Sequence, residues 1–294
     1  MKLGGQRILI IGETGYGKTT LLLRLLHDWS TQDSSLGYLA HFKVVLFASC
    51  RDLLVGNQRN NNNLFFPTGS KEESELSANL SNELESQTLY LLDGLDEVPC
   101  SSWPTEVSDL LEGRLHPNST VLTTSRPVPS VVALSAFHKR IVIHGLEVPH
   151  IESFVRSYFA RPMMIDDFDT FRPAMLDVLV ARPRLMKLAS NPLMCCLLCL
   201  VFREEGGRLP ESIAELFGLL MRFVMGRSLR QPHAGPMTTQ QRKVLLDFGR
   251  LSLQGIKENR YIYSDAEIKS ACQTHEILKQ VPPLFSINRF VFLF

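Results

Sequence analysis

The chain has 294 residues, 45% of them hydrophobic, and 31 Lys and Arg against 30 Asp and Glu leave a formal charge of +1. That apolar content suffices for a substantial core divided over two or three compact units, which excludes a disordered tail. Near-neutrality without a dense basic run excludes a long nucleic-acid backbone as the principal partner.

The opening "MKLGGQRILIIGE" carries one lysine and a four-residue apolar stretch, far short of a secretory core of about 7 to 15 residues, and reads as a strand. Five runs rich in β-branched and aliphatic residues recur over the first half: Arg7 to Gly12, Phe42 to Ser49, Leu89 to Asp93, Ser119 to Ser125 and Arg140 to Gly145. Each is short and nearly continuous in hydrophobicity, the signature of strands covered on both faces in a parallel sheet, and together they predict an α/β domain. Between the second and third lies Asn57 to Gln87, where four consecutive asparagines and a Pro-Thr-Gly-Ser turn predict a surface loop before a polar helix.

Directly after the first strand comes "GETGYGKTT", matching G-x-x-x-x-G-K-[ST], and directly after it the helical "LLLRLLHDW". A loop in this context turns backbone N–H groups toward an anion at a helix N-terminus. The expected cradle is Gly12, Glu13, Thr14, Gly15, Tyr16, Gly17, Lys18, Thr19 and Thr20. Its glycines admit the backbone close to phosphate, Lys18 would reach the β and γ phosphates, and Thr19 would present its hydroxyl to Mg²⁺.

"LYLLDGLDEV" then ends an apolar strand in Asp93, a carboxylate placed to hold Mg²⁺ directly or through water. Asp96 and Glu97 follow beyond Gly94. The fourth strand ends in "LTTSRP"; if it lies beside the first, Arg126 is placed to sense a γ phosphate.

After about Gly145 the apolar period changes from strand to helix. Ile151, Phe154, Val155 and Tyr158 follow Pro149 at helical spacing, and helices continue through Phe202. The ten-residue "LMCCLLCLVF" is too short to span a membrane, which takes about 20 residues, and reads as a buried helix. Three of six cysteines crowd there, at Cys195, Cys196 and Cys199; without a second ligand pair they read as buried free thiols in a reducing, cytoplasmic setting. "EEGGRLPES", Glu204 to Ser212, marks a boundary. Ile213, Leu216, Phe217, Leu220 and Val224 predict the next helix. Val244, Phe248 and Leu251 predict another, from a cap at Thr238 or Thr239 to a stop at Gly255. "YIYS" reads as a short strand, and Ser264 with Glu267 as a capping box. Helices followed by a small strand predict a winged-helix unit.

Taken together, "GETGYGKTT", the "LLDGLDE" of D-G-x-D-E form, "TTSRP" and "SNPLMCCLLCLVF" resemble the NACHT family of signal-transduction ATPases, the nucleotide-binding core of NOD-like receptors. The resemblance implies a five-stranded parallel-sheet P-loop domain over residues 1–146, a helical domain over 147–205 and a partial winged-helix domain over 206–294. It implies ATP or ADP as ligand with Mg²⁺, and Pro192 as the adenine-facing proline. Asp96 and Glu97 are the implied water-positioning acids, Glu97 favoured, in slow hydrolysis. The glutamate that many P-loop ATPases carry directly after the Mg²⁺-binding aspartate is replaced here by Gly94. Eleven residues precede Gly12 and the sequence ends at "SINRFVFLF", so an upstream adenine-enclosing segment and a winged-helix histidine reaching ADP are expected to be missing; neither His233 nor His275 stands in that context.

The function this implies is a cytoplasmic nucleotide switch in innate immune or cell-death signalling. ADP would hold it closed, and ATP would favour self-association or assembly with related NACHT proteins, with neither nucleic acid nor membrane as partner. Two other readings stand beside it: an AAA+-like turnover ATPase and a nucleotide-independent interaction module or truncated adaptor. DNA binding through the winged helix ranks last.

Overall fold

The computed structural model of the chain describes residues 5–32, 37–50, 84–98, 103–132, 135–160, 168–228, 238–258 and 270. Five strands occupy the runs expected for them: β1 Arg7–Ile11, β2 Val44–Ser49, β3 Thr88–Asp93, β4 Thr120–Ser125 and β5 Lys139–Val142. All pair in parallel in the order β2-β3-β4-β1-β5, so β4 is inserted between the first and third strands. Parallel neighbours need crossovers. Between β1 and β2 runs helix α1 (Lys18–Ser30), between β3 and β4 runs α2 (Thr105–Glu112), and the short α3 (Pro129–Val132) precedes β5.

Alternation along the strands sends apolar side chains to two opposite layers. Leu9, Ile11, Leu92 and Val121 pack with Val107, Leu110 and Leu111 of α2. Leu89 and Leu91 pack with Leu22 of α1 and with Leu39 and Phe42. The expectation of strands covered on both faces holds for β1, β3 and β4, but not at the sheet's edges. All four residues of β5 are exposed and β2 is only half-buried. An edge strand has a neighbour on one side only, so its continuous hydrophobicity does not guarantee cover.

Arg7, at the start of β1, is buried to 2% exposure, and among the described residues no carboxylate accepts from its guanidinium. Its guanidinium donates instead to the carbonyls of Leu110, His116, Pro117 and Ser119, at 2.8 to 3.3 Å. One satisfied cation thereby fixes the α2–β4 connection to the floor of the sheet.

Among the described residues six further helices follow: α4 Val148–Phe159, α5 Phe168–Ala181, α6 Pro183–Ala189, α7 Pro192–Glu204, α8 Ile213–Ser228 and α9 Thr239–Lys257. By their contacts the residues form two units, 1–151 with 187–194 and 152–186 with 195–294. In the second unit, Val155, Met175, Leu179, Leu198 and Cys199 are fully buried, and Phe159 meets Phe202 edge to face at 6.4 Å. Arg182 donates to the carbonyls of Leu209 and Pro210, tying the end of α5 to the turn before α8. The thiols of Cys195 and Cys199 are free, buried and hydrogen-bonded to each other.

The tract Glu204 to Ser212 does separate two helices, with Gly206 and Gly207 at φ 61° and 87°. Gly255 does not stop α9, which continues to Lys257; a helical glycine costs only about 1 kcal/mol, and Glu258 N–H still closes onto Gln254. The predicted loop and polar helix over 57–87 lie outside the described residues except for their last four, where Glu85–Gln87 form a single short helical turn; "YIYS" and the capping box at Ser264 also lie outside them. Among the described residues no helix is long and apolar enough to cross a membrane.

Candidate functional site

β1 ends at Ile11, and Gly12 donates to the Ser125 carbonyl at 3.1 Å, which carries the chain off the sheet beside the end of β4. Tyr16 N–H closes a turn onto Glu13, and Gly15 and Gly17 take φ of 81° and 83°, a region that disfavours any side chain. Gly17 is the N-cap of α1, and no acidic residue stands in that helix's first turn. The positive end of the α1 dipole is thus left without a carboxylate of its own, an arrangement that favours an anion.

Lys18 folds back over the loop, its Nζ donating to the carbonyls of Gly12 at 2.6 Å and Glu13 at 3.0 Å. Burial pulls its ammonium below the ordinary lysine value; Arg126 adds to this, while Asp96, Asp93 and Glu13 oppose it. The cation sits in a place where further negative charge would be welcome. Thr19 donates its hydroxyl to Asp93 Oδ2 at 2.8 Å, so the start of α1 and the tip of β3 meet across residues 74 apart in sequence. A hydroxyl and a carboxylate at this separation form an oxygen donor set suited to Mg²⁺, which binds few protein ligands and completes its shell with phosphate and water. Glu13 and Thr20 are exposed, and Tyr16 brings its hydroxyl beside Gly145.

The acidic tip is built from side chains at the ends of two neighbouring strands, β3 and β4. Thr124 of β4 donates to Asp93 Oδ1 at 2.6 Å and accepts the buried Gly94 N–H at 2.9 Å. Gly94 has φ 75°, and a Cβ there would stand 3.0 Å from Cδ and 3.2 Å from Cγ of Glu97. The backbone angle is what calls for glycine; the Glu97 side chain would need to give by only a few tenths of an ångström to admit a Cβ. Asp96, 2% exposed, gives Oδ1 to the Arg126 N–H at 2.8 Å and Oδ2 to Arg126 Nε at 2.6 Å. Burial, then the charges of Asp93, Glu97 and Asp96, push the Cys50 thiol up to about 12.

The structure therefore brings the loop, Lys18, Thr19, Asp93, Asp96, Glu97 and Arg126 to one end of the sheet. The tip of β4 lies beside that of β1, with Ile10 opposite Thr124 and Ile11 opposite Ser125. Pro192 opens α7 between two residues that touch the loop. Asn191 Nδ2 donates to the Thr14 carbonyl at 2.8 Å, and Leu193 N–H approaches the Gly15 carbonyl at 3.3 Å. Reasoning from sequence missed Thr124 and Asn191. Thr124 could have been found by aligning the ends of adjacent parallel strands; Asn191 stands immediately before a first-turn proline, where a capping residue is expected.

The family model of the NACHT domain matches residues 6–162. The human nucleotide-binding oligomerization domain-containing protein 1 is 25% identical over 309 aligned residues, covering 91% of this chain and 31% of that protein. Human protein NLRC5 is 28% identical, covering 90% of this chain and 14% of that one, so the chain spans a third or less of either relative. Among solved structures, the ORC1 protein of Aeropyrum pernix in complex with DNA is similar over 91% of this chain and 71% of that chain, at 16% identity and a TM-score of 0.42.

Proposed function

Because the chain belongs to the NACHT domain family, we propose that it is a nucleotide-dependent signalling switch which binds ATP or ADP at the end of β1. The observation that carries this reading is the meeting of a helix start with no acidic residue in its own first turn, an incompletely compensated Lys18, and the Thr19–Asp93 pair on one rim. The loop amides and Lys18 would receive the β and γ phosphates. Thr19 and Asp93 would hold Mg²⁺, which supplies neutralisation of the phosphate charge when bound. Pro192 is assigned to the adenine side, since its neighbours Asn191 and Leu193 both touch the loop.

For hydrolysis, Glu97 is assigned the orientation of water. Asp96 stands beside it in the sequence, yet both its oxygens engage Arg126. Its geometry suits the holding of Arg126, the proposed sensor of the γ phosphate. A water-orienting acid displaced outward from the metal aspartate suits slow turnover, in which the bound nucleotide marks a state. In this reading residues 1–146, 147–205 and 206–294 are the nucleotide-binding, helical and winged-helix parts, and the ATP form self-associates or joins related NACHT proteins in the cytoplasm. The test is the nucleotide released on denaturing purified wild-type and Lys18→Ala protein. Stoichiometric ADP or ATP in the first and a loss of at least tenfold in the second supports the reading; equal content in both refutes it.

A further inference from the structure

We propose that Asn191 is a positioning residue for the phosphate-binding loop, an assignment that rests on the nucleotide-binding reading above. Its carboxamide has two ends with different tasks. Oδ1 accepts the N–H groups of Leu193 at 3.0 Å and Met194 at 3.2 Å, capping α7 behind Pro192. Nδ2 donates to the Thr14 carbonyl at 2.8 Å. The opposite amide orientation would set donors against two N–H groups and an acceptor against a carbonyl, so the network admits one orientation only.

The consequence for the loop follows from peptide geometry. In a trans peptide the C=O and the next N–H point to opposite sides, and the described backbone contains no cis bond. Anchoring the Thr14 carbonyl on Asn191 therefore aims the Gly15 N–H away from Asn191, to the side where an anion would use it. The contact is close. A Cβ on Gly15 would stand 2.7 Å from Asn191 Oδ1, 3.0 Å from Nδ2 and 3.1 Å from Leu193 Cβ, so the glycine at this position makes room for the amide as well as for a φ of 81°.

Capping and anchoring can be separated by substitution. Serine and aspartate cap helices about as well as asparagine, but neither ionised aspartate nor the shorter serine replaces the Nδ2 donor to Thr14. The experiment measures affinity and dissociation of Mg²⁺ with a fluorescent ADP analogue, together with the nucleotide-free melting temperature, for wild type, Asn191→Ser, Asn191→Asp and Lys18→Ala. The expected result is a nucleotide-free melting temperature close to wild type for Asn191→Ser, with binding weakened about 2- to 10-fold and faster dissociation, the range for one lost hydrogen bond. Asn191→Asp is expected to lose more, because its charge also repels phosphate. The inference is overturned if both Asn191 variants bind as wild type, or if affinity falls only in step with melting temperature. A wild type that binds no better than Lys18→Ala refutes the nucleotide reading itself, and the Asn191 assignment with it.

Discussion

The glycine loop and the acidic tip of β3 stand at the same end of one sheet, yet they are built by opposite means. The loop presents backbone, its shape set by glycines at positive φ and its one cationic side chain folded onto its own carbonyls. The tip presents side chains held from the end of the neighbouring strand: Asp93 by Thr124 of β4, and Asp96 by Arg126 just beyond it. A backbone-built half should fail when a side chain is added, and a side-chain-built half when a partner is removed.

The largest effect is expected for Gly15→Ala, which combines an unfavourable φ with a contact of 2.7 Å: a loss of about 3 kcal/mol in unfolding free energy and nearly all nucleotide binding. Gly17→Ala provides the contrast, since nothing stands within 4 Å of its Cβ, and should cost only the φ strain of about 1 to 2 kcal/mol. Denaturant titrations of the two variants check this. Equal losses would mean that the Asn191 contact contributes nothing.

At the tip, Arg126→Ala leaves the Asp96 carboxylate buried without its ion-pair partner and should cost about 2 kcal/mol, reduced from the fully buried case because Arg126 is 38% exposed. Asp96→Asn leaves the charge on the partner that reaches water, so it should cost less. The reverse order, measured by thermal or denaturant unfolding, would show that the pair is not held as described. Thr124→Val, nearly isosteric, removes the acceptor of a buried N–H and one donor to Asp93; about 1 to 2 kcal/mol of stability should go with it.

The smallest effect concerns protons. Burial holds Lys18 below its ordinary value, so on the alkaline side the unfolded chain keeps this proton after the folded chain has released it. The group's contribution to stability therefore rises as pH climbs through the folded-state value. A bound polyphosphate acts in the opposite sense and restores the ammonium. Calorimetric titration with nucleotide at alkaline pH, in buffers of different ionisation enthalpy, should show net proton uptake in wild type and none in Lys18→Met.

How much of this could be read from sequence divides along the same line. Gly12, Gly15, Gly17 and Lys18 are contiguous, and local backbone rules connect them to a helix start, so the loop was legible. The five strands were legible for a similar reason, since apolar run and strand coincide. What escaped is carried by pairs remote in sequence: Thr124 lies 31 residues from Asp93, and Asn191 lies 177 from Thr14. The pairing of Asp96 with Arg126 depends on β4 being inserted next to β3, an order that no single strand encodes. Exposure of β5 escaped too, because the apolar run from Arg140 to Gly145 masks that the strand itself begins with Lys139 and Arg140 and stands at the sheet's edge.

In the proposed switch both halves converge on one magnesium-bound polyphosphate, and the affinity for ATP with and without Mg²⁺ in wild type and Asp93→Asn measures that convergence directly. Mg²⁺ is expected to strengthen binding in wild type by about an order of magnitude or more and to leave Asp93→Asn nearly unchanged, with Lys18 still supplying residual affinity in both. An equal enhancement by Mg²⁺ in the two proteins would contradict it.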